Sequence, residues 1–102
     1  MTHTNIDPII REAEGWALFI FALQVKGRLP PEVDLDEELD DEGMARAMVS
    51  KALDRGTTKF ENELWGTALF LDRRYNDAPA PIRESALDRV RSVIGDERKK
   101  RA

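Results

Sequence analysis

The sequence predicts an all-α fold: four main helices as two αα-hairpins, forming a bundle or an orthogonal helical domain. Three observations carry this. Four segments place apolar residues three and four positions apart, the period of a helix face. No segment sustains the apolar–polar alternation of a half-buried strand. Residues that start or stop helices bracket the segments. At 102 residues the chain forms one domain with one core, and folding at this size buries roughly 60–70% of the unfolded surface, enough without staples.

The first helix is expected from about Pro8 to Lys26. Asp7 suits the cap, Pro8 the first helical position and Gly27 a left-handed stop. Ile9, Ala13, Trp16, Ile20 and Leu23 form one stripe, and Leu18, Phe19, Phe21, Ala22 and Val25 make the other faces apolar as well. A helix apolar all round is normally buried on every side. The run 16–25 also fits a short strand, but the Asp-Pro start and the segment length favour helix. Gly27-Arg28-Leu29-Pro30-Pro31 reads as an extended loop.

An acidic run follows, with eight carboxylates between Glu32 and Glu42, leading into a second helix from about Asp41 to Arg55. Its acidic start suits the helix dipole. Met44, Ala45, Met48, Val49, Ala52 and Leu53 share one side, and Gly56 ends it. Thr58-Lys59-Phe60-Glu61 has capping-box spacing and opens a third helix reaching about Tyr75. Phe60, Leu64, Ala68, Leu71 and Tyr75 line one face, Trp65 and Leu69 widen it, and Phe70 lies nearly opposite. A fourth helix is expected from about Pro81 to Ile94, with Ile82, Ala86, Leu87, Val90, Val93 and Ile94 on one side and Gly95 as its stop. Residues 1–6 read as a flexible tail, 7–95 as the helical domain and 96–102 as a charged, frayed tail. A faint echo links residues 14–19 with 63–70, consistent with two related hairpins or with chance.

Composition removes most catalytic chemistry. The only histidine is His3, in the N-terminal tail, and there is no cysteine. A Ser-His-Asp or Cys-His nucleophile, a zinc site and thiol redox chemistry all lack their residues. The glycines are isolated, so no phosphate-cradling loop exists. The longest apolar run, Trp16 to Leu23, is shorter than the roughly 20 residues of a membrane span. The N-terminus lacks the basic and apolar segments of a secretory signal, and absence of disulfides is compatible with the cytoplasm, the location expected.

Charge is uneven. Residues 1–56 hold 6 Lys/Arg against 12 Asp/Glu, and residues 57–102 hold 10 against 8. Glu32, Asp34, Asp36, Glu37, Glu38, Asp40, Asp41 and Glu42 form the leading candidate contact surface, suited to a basic protein; as a charge run, the same segment is also what a solvated loop and helix start look like. A calcium loop fails because Leu39 and Ala45 stand where glycine and glutamate are required. Glu37, Glu38 and Asp41 have the spacing of the helical carboxylates that hold Mg²⁺ in some all-helical nucleotide pyrophosphohydrolases, but Glu61, Glu63 and Asp72 do not supply the matching pair. No metal site, cofactor or catalytic residue is assigned. Trp16, Trp65, Met44 and Met48 read as core at helical spacing. Arg98-Lys99-Lys100-Arg101 offers only weak, sequence-blind attraction to nucleic acid. Segments 44–55 and 59–75 faintly suggest a helix-turn-helix, but Glu61, Glu63 and Trp65 stand where base-reading residues belong.

In a four-helix monomer every helix meets solvent along part of its length, which strains the apolar faces of the first and third helices. Self-association as a two-fold dimer through Leu18, Phe19, Ala22 and Phe70 is therefore expected, the alternative being an orthogonal packing that hides them all with the long acidic loop folded over. Functionally, the sequence points to a small non-enzymatic protein–protein interaction module that is homodimeric, with the acidic segment as contact surface. An inhibitor or antitoxin-like regulator of a basic, nucleic-acid-handling protein, a Mg²⁺-dependent nucleotide hydrolase and a DNA-binding regulator are the alternatives.

Overall fold

The computed structural model describes residues 7–76 and 80–101. The expected N-terminal tail 1–6, with His3, lies outside the described residues. Four helices form: α1, Asp7–Lys26; α2, Asp41–Asp54; α3, Glu61–Arg74; and α4, Ala80–Lys99. There is no strand among the described residues. None of the described helices is long and apolar enough to cross a membrane.

Helix α1 is the centre of the packing. It touches α2, α3 and α4, whereas α2 and α3 do not touch each other. Its alanines explain how one rod serves three neighbours. Ala13, Ala17 and Ala22 are fully buried between Leu18, Phe21 and Val25, and their small side chains let other helices approach on several sides. This relieves part of the strain expected from the apolar faces of α1. Leu18, Phe21, Ala22 and Val25 find shelter within one chain, whereas Trp16, Phe19 and Ile20 are half-buried and Leu23 is exposed. Leu18, 5% exposed, and Ala22, 0% exposed, are core residues of the single chain and form no self-association face.

Contacts fix the helix directions. Glu12 meets Tyr75, Trp16 meets Phe70, and Arg28 just past α1 meets Glu63, so α1 and α3 are antiparallel. Gln24 lies over Gly66, where a methyl group would sit 2.9 Å from its amide. Arg83 pairs with Asp72 and Arg98 reaches the Thr58 carbonyl, which makes α3 and α4 the antiparallel hairpin expected. Contacts between α2 and α4 run in the same order, from Glu42–Arg89 to Asp54–Arg101, so those two helices are parallel. Helices α1 and α2 thus point the same way and are not a hairpin. The loop 27–40 returns along α1 and brings Asp41 against Gly15.

Local chemistry accounts for each helix end. Asp40 caps α2 by accepting the Gly43 N–H at 2.7 Å. Met44, Ala45, Met48, Val49 and Ala52 are buried as the stripe predicts. Gly56 stops the helix with φ +86°, the left-handed conformation glycine adopts freely. Gly27 does not share it, since Gly56 is the only described residue with positive φ. The capping box at Thr58 does not form. Phe60 occupies the cap position of α3 with no side-chain hydrogen bond, buried edge-on to Phe21 at 6.0 Å between ring centres. Burial of the ring has prevailed over capping.

Helix α4 passes through Gly95 and reaches Lys99. Glycine weakens a helix by only about 1 kcal/mol, and side-chain pairing outweighs it here. Arg46 of α2 reaches Asp96 at 3.1 Å and Glu97 at 3.5 Å. Lys100 pairs with Glu97 at 2.7 Å. Arg101 pairs with Asp54 at 2.7 Å and donates to the Ser50 carbonyl and hydroxyl at 3.0 and 2.6 Å. The segment expected to fray is docked on α2 up to residue 101.

Candidate partner-binding surface

The acidic segment is a loop as far as Asp40 and helix from Asp41. Its alternation decides how it lies. Val33 is buried and Leu35 packs on the core, so Glu32, Asp34 and Asp36 between and beside them point to solvent. Glu37, Glu38 and Asp40 are also exposed, and Asp41 and Glu42 are half-buried. Part of the run is used locally. Asp36 accepts the Glu38 N–H at 3.0 Å, Asp40 caps α2, and Glu42 pairs with Arg46 and Arg89. Glu32, Asp34, Glu37 and Glu38 have no ion-pair partner among the described residues.

Where the loop enters α2, Asp41 borders a surface groove of about 500 Å³. Arg11, Glu12, Gly15, Trp16 and Phe19 of α1 complete its lining. Trp16 is half-buried at the centre of an aromatic cluster. Phe19 meets it edge-on at 6.4 Å and Phe70 of α3 lies tilted against it at 5.5 Å. The Arg74 guanidinium sits 4.3 Å from the Trp16 ring centre, a cation–π contact, and 3.7 Å from Glu12. The structure therefore separates the four residues expected at a self-association face. Leu18 and Ala22 go inward, while Phe19 and Phe70 stay half-exposed on either side of Trp16. It also brings Phe19 and Asp41 to one groove, although they stand on different helices with no local pattern linking them.

Tyr75 closes one edge of this region, its hydroxyl donating to Glu12 at 2.6 Å. Burial first, and then that hydrogen bond to a carboxylate, raise the phenol above its ordinary 10.0. The protonated phenol is the form the fold favours, so its stabilisation is complete below pH 10 and fades as pH climbs through the raised value. The chain has one tyrosine, so tyrosinate absorbance reports this group alone. We expect a midpoint above 10 that falls towards 10 in Glu12→Gln; a midpoint at or below 10 in the wild type contradicts the contact.

The other candidates resolve differently. Glu63, only 3% exposed, is held by Arg28 through both carboxylate oxygens at 2.8 and 2.9 Å, and Asp72 pairs with Arg83. These carboxylates are thus engaged by arginines, and no group of three potential metal-binding side chains exists among the described residues. Segments 44–55 and 59–75 do not make a helix-turn-helix, whose two helices must pack together, because α2 and α3 are not in contact. The basic cluster is largely engaged: Lys100 and Arg101 in ion pairs, Arg98 with the Thr58 carbonyl. Met44 and Met48 are core, as expected. Trp65 is not: it is 68% exposed, and Leu69 one turn on is 40% exposed. The echo between residues 14–19 and 63–70 therefore does not extend to environment, since Trp16 packs against Phe70 while Trp65 faces solvent.

The geometry defines an all-α domain of four helices carrying an aromatic groove beside an acidic loop. No known family model, curated protein or solved structure matches this chain.

Proposed function

We propose that this protein is a non-enzymatic protein–protein interaction module whose aromatic groove and acidic loop together receive a basic, apolar-faced segment of a partner protein. The observation that carries this is the junction at Asp41. There the acidic run meets a groove floored by Trp16 and Phe19. Indole and phenyl rings supply large apolar contact area at low entropic cost, and half-exposed aromatics are typical anchors of interfaces. Unpaired carboxylates on the adjoining loop steer a cationic partner and fix its orientation. The partner chemistry that fits is an amphipathic segment with lysine or arginine beside its apolar residues. A basic protein that otherwise holds nucleic acid presents such chemistry, and the acidic loop supports an inhibitor of that kind as the second reading.

The test uses a Trp65→Phe background, in which Trp16 is the only tryptophan. Titration with a helical Leu/Lys peptide is expected to shift Trp16 emission saturably. Raising salt from about 50 to 500 mM should weaken binding, because screening shortens the reach of exposed charges. Glu37→Gln with Glu38→Gln should also weaken it, by about threefold to tenfold. A Leu/Glu peptide of matching apolar face should not bind. The reading fails if Trp16 emission is indifferent to the basic peptide, or if the acidic peptide binds equally well.

A further inference from the structure

The outer face of α3 has no partner within the chain. The helix packs on α1 and α4, and turns Glu63, Thr67 and Leu71 inward. Trp65 and Leu69 lie on the opposite side, and Trp65 is the most exposed large apolar residue described. They belong to a row of residues four apart: Glu61, Trp65, Leu69, Arg73. Such a row is a continuous ridge along a helix. All four side chains are exposed, and neither Glu61 nor Arg73 has an ion-pair partner among the described residues. The neighbouring charges do not compete, since Asp72 is paired with Arg83 and Arg74 with Glu12.

This ridge reads acid, apolar, apolar, base, and is complementary to itself when reversed. A two-fold axis between Trp65 and Leu69 turns the ridge end for end, as an isologous contact requires. Trp65 then meets the partner's Leu69, and Glu61 meets the partner's Arg73, at both ends of the contact. A parallel pairing would instead set like charges together, which opposes it. An exposed tryptophan beside an exposed leucine supplies the desolvated centre that interface energetics favour. We infer that a second copy of this chain docks antiparallel on the outer face of α3, with Trp65 and Leu69 at its centre and Glu61 facing the partner's Arg73. This surface is separate from the groove at Trp16, so dimer formation and peptide binding succeed or fail independently.

Sedimentation velocity of the full chain from about 1 to 200 µM tests it, a range that brackets weak self-association. The wild type is expected to shift from monomer to dimer over that range. Trp65→Ser should raise the dissociation constant by at least about tenfold, as loss of a central tryptophan does. Glu61→Arg and Arg73→Glu should each weaken the dimer by about threefold to tenfold, through like-charge opposition. Combining Glu61→Arg with Arg73→Glu restores complementarity and should restore the wild-type constant. All these side chains are exposed, and far-UV circular dichroism checks that each variant keeps its helices. A chain that stays monomeric throughout overturns the inference and leaves the face to a different protein or a lipid surface. So does a dimer that survives Trp65→Ser, or a double variant that fails to recover.

Discussion

Replacing Phe21 with alanine should remove about 3–5 kcal/mol of stability, the range for deleting a buried aromatic ring. A domain of this kind has about 5–15 kcal/mol in total, so the variant should unfold at a much lower urea midpoint. The size of the effect follows from position. Phe21 is fully buried in α1, which packs against all three of the other helices. Its ring lies edge-on to Phe60 at the start of α3. Neighbours held by three helices cannot all move in to fill the space, so the cavity term adds to the lost transfer term. Phe21→Leu keeps much of the volume and should cost clearly less. The informative comparison is Phe19→Ala. Phe19 is only half-buried, and its loss should cost about 1 kcal/mol or less, in proportion to the apolar area it removes from water. Equal losses for Phe19 and Phe21 would mean that α1 presents a different face to the core.

Deleting residues 96–102 should cost about 2–3 kcal/mol, read from thermal or urea unfolding of the shortened chain. Most of that does not come from exposed ion pairs, which contribute little individually. Glu97 is 4% exposed and reaches Arg46, Lys100 and Arg101. Deleting the segment leaves a gap between α2 and α4 and takes two partners, Asp96 and Glu97, from Arg46, which retains Glu42. Loss of Arg101 also frees the Ser50 carbonyl near the end of α2. A Lys99→Ala substitution changes an exposed side chain with no ion-pair partner among the described residues and should be nearly neutral. An unchanged midpoint after the deletion would show that the segment frays, as its composition suggested.

Helix identity was legible because it depends on period and breakers, which are local. The stripes of α2 and α4 bury the residues their spacing indicates, and Gly56 stops α2 in the left-handed conformation. The ends of α3 and α4 were not legible. Thr58 and Glu61 have capping-box spacing, but the Phe60 ring is drawn into the core beside Phe21 instead. Gly95 has the form of a stop, but pairing between α4 and α2 carries the helix past it. Both outcomes depend on residues more than thirty positions away. The candidate surface divides the same way. The acidic run was visible as composition, and the alternation of Val33 and Leu35 shows which carboxylates face water. The groove was not visible, because it needs the loop 27–40 to bring Asp41 back to Gly15.

Legible from the chain alone are the set of helices, their greasy sides, the lack of cysteine and the restriction of histidine to position 3. Those follow from residue type and spacing along one chain. The tertiary structure alone decided which apolar residues remain outside. Leu18, in a run that is oily on every side, is covered because α1 packs on three helices, whereas Trp65 is left in water because α3 turns Glu63, Thr67 and Leu71 towards α1 and α4 and Trp65 lies on the opposite side. Burial is a property of neighbours in space, and periodicity in one helix cannot say how many neighbours it will have.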